Sequence, residues 1–389
     1  MDNFVVNQTV FDRKRTPIGH EIIFSESNSY AEEFMRTMKR PLYFENKPAF
    51  ITLNKRMLEK NLPSLFPPND TVIQLDRSSV SDRQVHSLVS KFRQKGYKTA
   101  AVDFKFTPDY FSVLDQVDYI KVSFKSYASP ATENIIRLGK SFGKGIMAYD
   151  IQCAEAYEKA KILNCMTFQG AYVAEKPMGH SQKSLADSDF AELLAEINRP
   201  VPDVSKAEKI ITDNSALTKG VLRLANSPYF ALITPVETVG QAMTHMGIRQ
   251  LRRLAYLLPF DPEDNYFPRE LIKLSLLRAA FTAELHDFAD DMTISRTDAY
   301  YMGMYSLLGR ILHCPLVEAL DILPMDSEIK DAILFRKGRS GQLLDLVKEY
   351  ESAHRDKVIT LADDLGIPTE VISEKYRECY EQVRIERFQ

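Results

Sequence analysis

Thr99-Ala-Ala-Val-Asp-Phe104 is a short apolar run that ends on a carboxylate, and its reading decides the fold of the first half of the chain. Such a run suits a strand buried on both faces of a parallel sheet. Similar runs lie at 49–53, 71–75, 119–123, 145–149 and 167–172. They recur at roughly 20–27 residues, room for a strand and its return helix. Helical patterns such as 82–95 and 153–163 fill the intervals. Before them, 4–11 and 18–24 read as a hairpin joined by Asp12-Arg-Lys-Arg-Thr-Pro17. Repeated right-handed crossovers after an antiparallel start predict a barrel or a doubly wound sheet. In an α/β barrel the carboxyl ends of the strands face the active site. That places Glu21, Thr52, Gln74, Asp76, Asp103, Lys121, Asp150, Gln152, Gln169 and Gly170 at the mouth.

The 389 residues are enough for two or three cores. A hydrophobic share of 44% with 26% charged residues excludes a disordered chain. A net charge of −3 gives no general attraction to nucleic acid or anionic membrane, so neither is expected as a partner. No window reaches the ~18 apolar residues of a membrane span, and Met1-Asp-Asn-Phe4 lacks an export pattern. The expectation is a cytoplasmic protein with reduced thiols at Cys153, Cys165, Cys314 and Cys379, none spaced as a metal or redox pair.

Beyond His180 the pattern changes. A polar stretch leads to a helix at 190–197 and a break at Asn198-Arg-Pro-Val-Pro202, after which no strand is predicted. Apolar residues then recur at three and four, as in Leu217, Val221, Leu222 and Leu224. The predicted helices are 205–212, 214–225, 236–245, 248–258, 268–290, 296–313, 315–322, 326–335, 340–362 and 368–387, with caps at Asp203, Asp213, Asp326 and Thr369. The expected division is a barrel domain at 1–181, a linker helix at 182–200 and an all-helical domain at 201–389.

The strand-end residues of the first 180 or so positions, taken in order, resemble the EAL family of barrel phosphodiesterases that hydrolyse cyclic di-GMP. Gly19-His-Glu-Ile-Ile23 stands where that family has Glu-Ala-Leu, and Ala101-Val-Asp-Phe104 where it has Asp-Asp-Phe. Tyr119-Ile-Lys-Val122 matches its lysine strand, and Phe168-Gln-Gly-Ala-Tyr-Val173 its closing Gln-Gly strand. The resemblance implies a trimmed TIM-like (β/α) barrel of EAL type. It also implies two divalent cations, which the family holds with carboxylates and an Asn to activate the attacking water. Here Glu21, Asp103, Lys121 and Gln169 survive. Thr52 replaces the Asn, Gln74 a Glu, Val102 the first Asp and Gln152 a late Glu. Neutral side chains supply too little charge for hard cations, so no cofactor and no catalytic or metal residue is expected. The four survivors then form a vestigial nucleotide site. Glu21 and Lys121 also have a plain structural reading as an ion pair across the mouth, Asp103 as a turn or cap residue, and Gln169-Gly170 as a tight approach of strand and loop.

Val221-Leu-Arg-Leu-Ala-Asn-Ser-Pro-Tyr-Phe230, followed by Ala242-Met-Thr-His-Met-Gly-Ile-Arg-Gln-Leu251, resembles the HDOD family, a helical relative of the HD phosphohydrolases without their metal ligands. Asn226, Ser227 and Gly247 carry the motif: the first two end a helix, and Gly247 either ends one or admits a close backbone. Tyr305-Ser306 occupies the place of HD metal ligands, and His286-Asp287 lacks the spaced partners that a metal pair needs. His245, His313 and His354 read as lone surface or packing residues, and Arg249, Arg252 and Arg253 as one basic helix edge. Together the two resemblances predict a signalling adaptor of bacterial type that is not an enzyme and works through protein partners. The alternatives are a cyclic di-GMP receptor that binds without hydrolysis and a weak phosphodiesterase. The oligomeric state is not legible.

Overall fold

In a computed structural model, residues 4–24, 28–38, 43–80, 82–105, 107–125, 129–175, 189–226, 234–258, 269–312 and 314–383 are described. They divide into two compact units. One comprises Met1–Ala174, Glu349–Ile359 and Thr369–Glu374; the other comprises Glu175–Lys348, Thr360–Pro368 and Lys375–Gln389.

The first unit is a closed eight-stranded barrel. Its strands are β1 (Val5–Phe11), β2 (Pro17–Phe24), β3 (Ala49–Leu53), β4 (Thr71–Leu75), β5 (Lys98–Val102), β6 (Tyr119–Ser123), β7 (Gly145–Tyr149) and β8 (Thr167–Phe168). β1 runs antiparallel to both of its neighbours, β2 and β8, and the other pairs are parallel. The hairpin turn is set by Asp12, whose carboxylate accepts from the N–H groups of Lys14 and Thr16 at 2.8 Å. Gly19 is needed because a Cβ there would lie 2.5 Å from the Phe50 ring. One end of the barrel is filled by Val10, Phe50, Val72, Ala100 and Met147, with Ile18 and Tyr119 packed against them. Burying side chains of this size stabilises by about 1.5–3 kcal/mol each, which fixes the strand register.

The closed ring settles whether the barrel is complete. The 167–172 run is shorter as a strand than expected, because Gly170 (φ +136) turns the chain and Ala171–Glu175 is helical. A Cβ at Gly170 would sit 2.4 Å from the Ile151 backbone, the tight approach its neighbour Gln169 shares through Ile151 N–H donating to the Gln169 carbonyl at 3.0 Å. Gly139 lies inside the helix Pro130–Ser141, where a Cβ would sit 2.8 Å from the Ile120 side chain.

The second unit is helical around one apolar core that runs from Phe190 through Leu254, Met302 and Leu308 to Leu344. The break at 246–247 is real: Gly247 (φ +67, ψ 171) divides Val239–Leu257, and a Cβ there would meet nothing within 4 Å. Gly247 is therefore a chain-bending residue and not a close-approach one. Asn226 caps Ser215–Ala225, and its amide exchanges two hydrogen bonds with the Val236 backbone at 2.7 and 2.8 Å. Ser227, His313 and the polar stretch 182–188 lie outside the described residues.

Three expectations need correction. The cap of Ser215–Ala225 is Asn214, not Asp213, because the Asn214 carbonyl oxygen accepts from two N–H groups there. Pro368 precedes Thr369–Gln382 in the cap position. The predicted helices 296–313 and 340–362 are each two helices, the second split between Gly338–Glu351 and Arg355–Leu365 at Ala353 (φ +61). No Gly or Pro marks that break, and the apolar spacing runs through it.

Candidate functional site

Above the apolar end of the barrel, the alternation along the strands brings a second layer together: Glu21 on β2, Thr52 on β3, Gln74 on β4, Val102 on β5, Lys121 on β6, Tyr149 on β7 and Gln169 after β8. Register supports this, because Thr52 is paired with Gln74 and Val102 with Lys121. Six of the eight positions singled out in the sequence therefore share one layer. Asp103 stands at its rim, and Gln152 is exposed outside it.

Glu21 is the hub. Its side chain is 3% exposed and that of Lys121 is 4% exposed, and the two form an ion pair. Gln169 donates to the oxygen that Lys121 contacts, at 2.7 Å, and Gln74 donates to the other at 2.6 Å. A carboxylate with an ammonium and two amide donors is fully satisfied in a place with no room for bulk water. The amides are not. The carbonyl oxygens of Gln74 and Gln169 are buried and accept from no donor among the described residues. An acceptor left this way costs about 1–3 kcal/mol and marks a place where a donor is missing.

Lys121 also lies 5.1 Å from the centre of the Tyr149 ring. Burial, with Asp103 beside it, pushes the Tyr149 phenol well above its ordinary range. It stays protonated and donates to Asp103 at 2.5 Å. Asp103 and Asp150 adopt left-handed turns (φ +52 and +57) directly after β5 and β7, a conformation that Asp tolerates better than most residues.

His354, which the sequence left as a lone histidine, is brought to the same rim. Its Nε2 lies 3.4 Å from Asp150 and its Nδ1 2.5 Å from Glu349. The segment that carries it is fastened to the start of β1: the Tyr350 hydroxyl donates to the Val5 carbonyl and the Gln8 amide to the Glu351 carbonyl, each at 2.9 Å. The two carboxylates, Asp150 foremost, hold His354 above its ordinary value, and burial only partly offsets them. Burial works against ionisation of Asp150, but hydrogen bonds from His354 and Gln152 outweigh it and bring its pKa down. Nothing in the spacing of residues 150 and 354 signals this contact.

A two-cation hydrolytic centre needs several anionic oxygens converging on one point. The mouth carries Glu21, Asp76, Asp103 and Asp150, each engaged by protein donors, and Asp76 caps the turn at Ser79 with a 2.8 Å bond. Among the described residues no three His, Cys, Asp or Glu side chains group as metal ligands. In the helical unit, Tyr305 donates to Asn198 at 2.5 Å and Ser306 accepts from the buried Arg278 at 2.9 Å, so both are structural. His286 contacts Asp287 at 3.3 Å and the Ile294 carbonyl at 2.8 Å, and among the described residues no third ligand joins them.

Residues 187–311 match the model of the HDOD domain family. Over 97% of its length the chain is 25% identical to a Bacillus subtilis protein, YuxH, whose name assigns it no function, and it spans 96% of that relative. It is 23% identical to "Cyclic di-GMP phosphodiesterase CdgJ" of Vibrio cholerae, over 97% of this chain and 91% of that one. Among solved structures, the PaMucR phosphodiesterase in complex with c-di-GMP aligns with 46% of this chain and 96% of its own, at 14% identity and a TM-score of 0.36. The B. subtilis YkuI protein, with an EAL domain and bound to c-di-GMP and calcium, aligns over 46% of this chain and 57% of its own, at 16% identity and a TM-score of 0.36.

The two-part plan read from the motifs holds as a closed eight-stranded barrel followed by a helical unit, and residues 187–311 match the HDOD model. The expectation that the chain is not an enzyme does not. It is overturned by CdgJ, a relative that matches almost end to end and is named a phosphodiesterase. Counting carboxylates at matched positions does not decide whether the chain is an enzyme. Among the described residues no helix is long and apolar enough to cross a membrane.

Proposed function

We propose that this chain is a cyclic di-GMP signalling protein whose barrel mouth takes the dinucleotide. The supporting observation is the buried polar layer at the carboxyl ends of the strands, where the Gln74 and Gln169 carbonyls have no donor among the described residues beside the Glu21–Lys121 pair. Guanine carries N–H donors, and the phosphodiester would meet the positive end of the layer at Lys121. The name of CdgJ points to the same dinucleotide. In this proposal Glu21, Lys121 and Gln169 orient the ligand, Asp103 and Tyr149 form the rim, and Thr52 and Val102 set the width of the entry. The signal passes to a protein partner, a step supported by the joining of a nucleotide-type barrel to a helical unit in one chain.

The test is calorimetry of the full chain with cyclic di-GMP, run beside an assay for linear product. Saturable heat that disappears in Val102→Phe, at unchanged thermal stability, is the expected result. Product that forms in the wild type and is lost in Glu21→Gln would assign turnover to the same layer. No heat at high micromolar concentration sinks the proposal. Crosslinking in cells that recovers no protein partner removes the final step alone.

A further inference from the structure

Exposed apolar side chains gather on one part of the barrel unit. Among the described residues ten large apolar side chains stand exposed, and five of them fall between positions 111 and 166: Phe111, Leu138, Phe142, Ile162 and Met166. Leu138 is 43% exposed and Phe142 50%, and they stand four residues apart at the end of the helix Pro130–Ser141, which places them on one face. The Phe111 ring, on the helix Pro108–Leu114, meets the Phe142 ring edge-on with 6.5 Å between centres. The Lys140 ammonium donates to the Leu163 carbonyl, which brings the end of the helix Ala154–Ile162 alongside. Met166 adjoins the same end, its sulfur 2.7 Å from where a Cβ on Gly145 would lie. Scattered exposed apolar residues are ordinary, but a contiguous set rimmed by charge marks an interaction surface.

We propose that this face of the barrel unit docks an acidic protein segment, one that carries apolar side chains at helical spacing between its carboxylates. The rim is basic: the run Asn134–Lys144 carries Arg137, Lys140 and Lys144 and no Asp or Glu. The side chains of Arg137 and Lys144 form no ion pair among the described residues, and the Lys140 ammonium meets a neutral carbonyl. Of the neighbouring carboxylates, Glu133 is engaged by Lys159 and Glu158 by Lys161. Asp115, at the end of Pro108–Leu114, is one acid against these three cations. The chain as a whole carries −3, so the positive excess is local to this face.

Charge selects the occupant. A second copy seated face to face would set the three cations against their own images, and like charges brought together at an interface cost free energy. An anionic lipid surface takes up an apolar face that sinks about 5–10 Å past the headgroups. Phe111, Leu138 and Phe142 are instead about half covered by their own unit, which suits contact with another protein surface. A helical segment meets both demands: Leu or Phe side chains three and four residues apart lie on the apolar row, and Asp or Glu beside them meets the cations. None of this uses the barrel mouth, so the inference stands or falls apart from the ligand proposed there.

The experiment is fluorescence anisotropy of the full chain with two labelled synthetic peptides of one amphipathic helical pattern, the first built from Leu and Glu and the second from Leu and Lys. Saturable binding of the Leu–Glu peptide is expected, with the Leu–Lys peptide roughly tenfold weaker or worse. Leu138→Asp, at an exposed position, should weaken the Leu–Glu peptide about tenfold without a change in thermal stability. Arg137→Glu with Lys144→Glu should reverse the preference between the peptides. Val317→Asp, at an exposed apolar position of the helical unit, should change nothing. Raising salt should weaken the Leu–Glu complex. Each of these outcomes overturns the inference: no saturable binding of the Leu–Glu peptide, equal affinity for the Leu–Lys peptide, an affinity unmoved by Leu138→Asp, or an equal loss in Val317→Asp. Self-association of the chain, or flotation with phosphatidylglycerol vesicles, that is lost in Leu138→Asp would overturn it in favour of a second copy or a membrane.

Discussion

The polar layer of the barrel and the arginine-lined cavity of the helical unit both gather charge, and they treat it in different ways. In the barrel, one carboxylate and one ammonium are almost completely removed from water and neutralise each other, with amides completing the shell. In the helical unit, Arg249, Arg253, Arg296 and Glu284 line one cavity, and Arg296 is paired with both Glu284 and Asp287. Charge removed from water must be paired at once or it costs several kcal/mol. Charge that water reaches keeps its hydration. Burial, more than residue type, decides which charges must be paired within the protein.

The contrast can be broken at its strongest point. Lys121→Met leaves Glu21 buried with two amide donors and no counter-charge, and should cost about 3–5 kcal/mol in a denaturant titration. Adding Glu21→Gln should recover most of that loss, since the charge then goes too. Arg249→Gln should stay within about 0.5 kcal/mol of wild type on the same measurement. Equal losses for Lys121→Met and Arg249→Gln would dissolve the distinction between the two regions.

Two glycines sharpen it further. Gly170 and Gly247 both sit at positive φ, where a side chain adds strain of about 1–3 kcal/mol. At Gly170 a Cβ would also meet the Ile151 backbone at 2.4 Å, in a turn that positions Gln169. At Gly247 the space is empty. Gly170→Ala should therefore cost more than Gly247→Ala by about 1–3 kcal/mol of overpacking, and should weaken any ligand of the barrel mouth. Thermal melts that rank the two the other way would show that the turn after β8 gives way more easily than its contacts imply.

Much of this was legible in the chain and some of it could not be. Short apolar runs spaced by helices gave the eight strands, since a strand buried on both faces leaves a continuous signature. Strand-end position alone brought Glu21, Gln74, Lys121 and Gln169 to one layer. The direction of the inference failed where chemistry was read from missing residues: four neutral replacements argued against catalysis, and a relative named a phosphodiesterase overturned that. Tyr149 was passed over because it follows an ordinary strand pattern, yet it flanks Lys121 and binds Asp103. The Asp150–His354 contact spans about two hundred residues of sequence, and periodicity within an element carries no information across such a distance. The cavity arginines were visible only as a pair on one helix, because Arg296 and Tyr300 arrive on another.

The smallest expected effect concerns the rim. His354 lies above its ordinary value of 6.5, so its contribution is complete below pH 6.5 and fades as the pH rises through the folded value. Asp150 and Glu349 lie below their ordinary values of 3.8 and 4.5, so theirs are complete above those values and fade on acidification. Burial opposes ionisation of Glu349, and Lys357 and His354 overcome it. The segment Glu349–Ile359 should therefore hold the barrel rim best between about pH 4.5 and 6.5 and loosen on either side. Hydrogen exchange of Glu349–Ile359 should speed up a few-fold from pH 6 to pH 8.5 after correction for the intrinsic rate, while the β4 and β6 amides stay unchanged. His354→Gln should remove that alkaline difference. A profile that is flat in the wild type, or equally steep in His354→Gln, would mean that Tyr350 and Gln8 fasten the segment without help from charge.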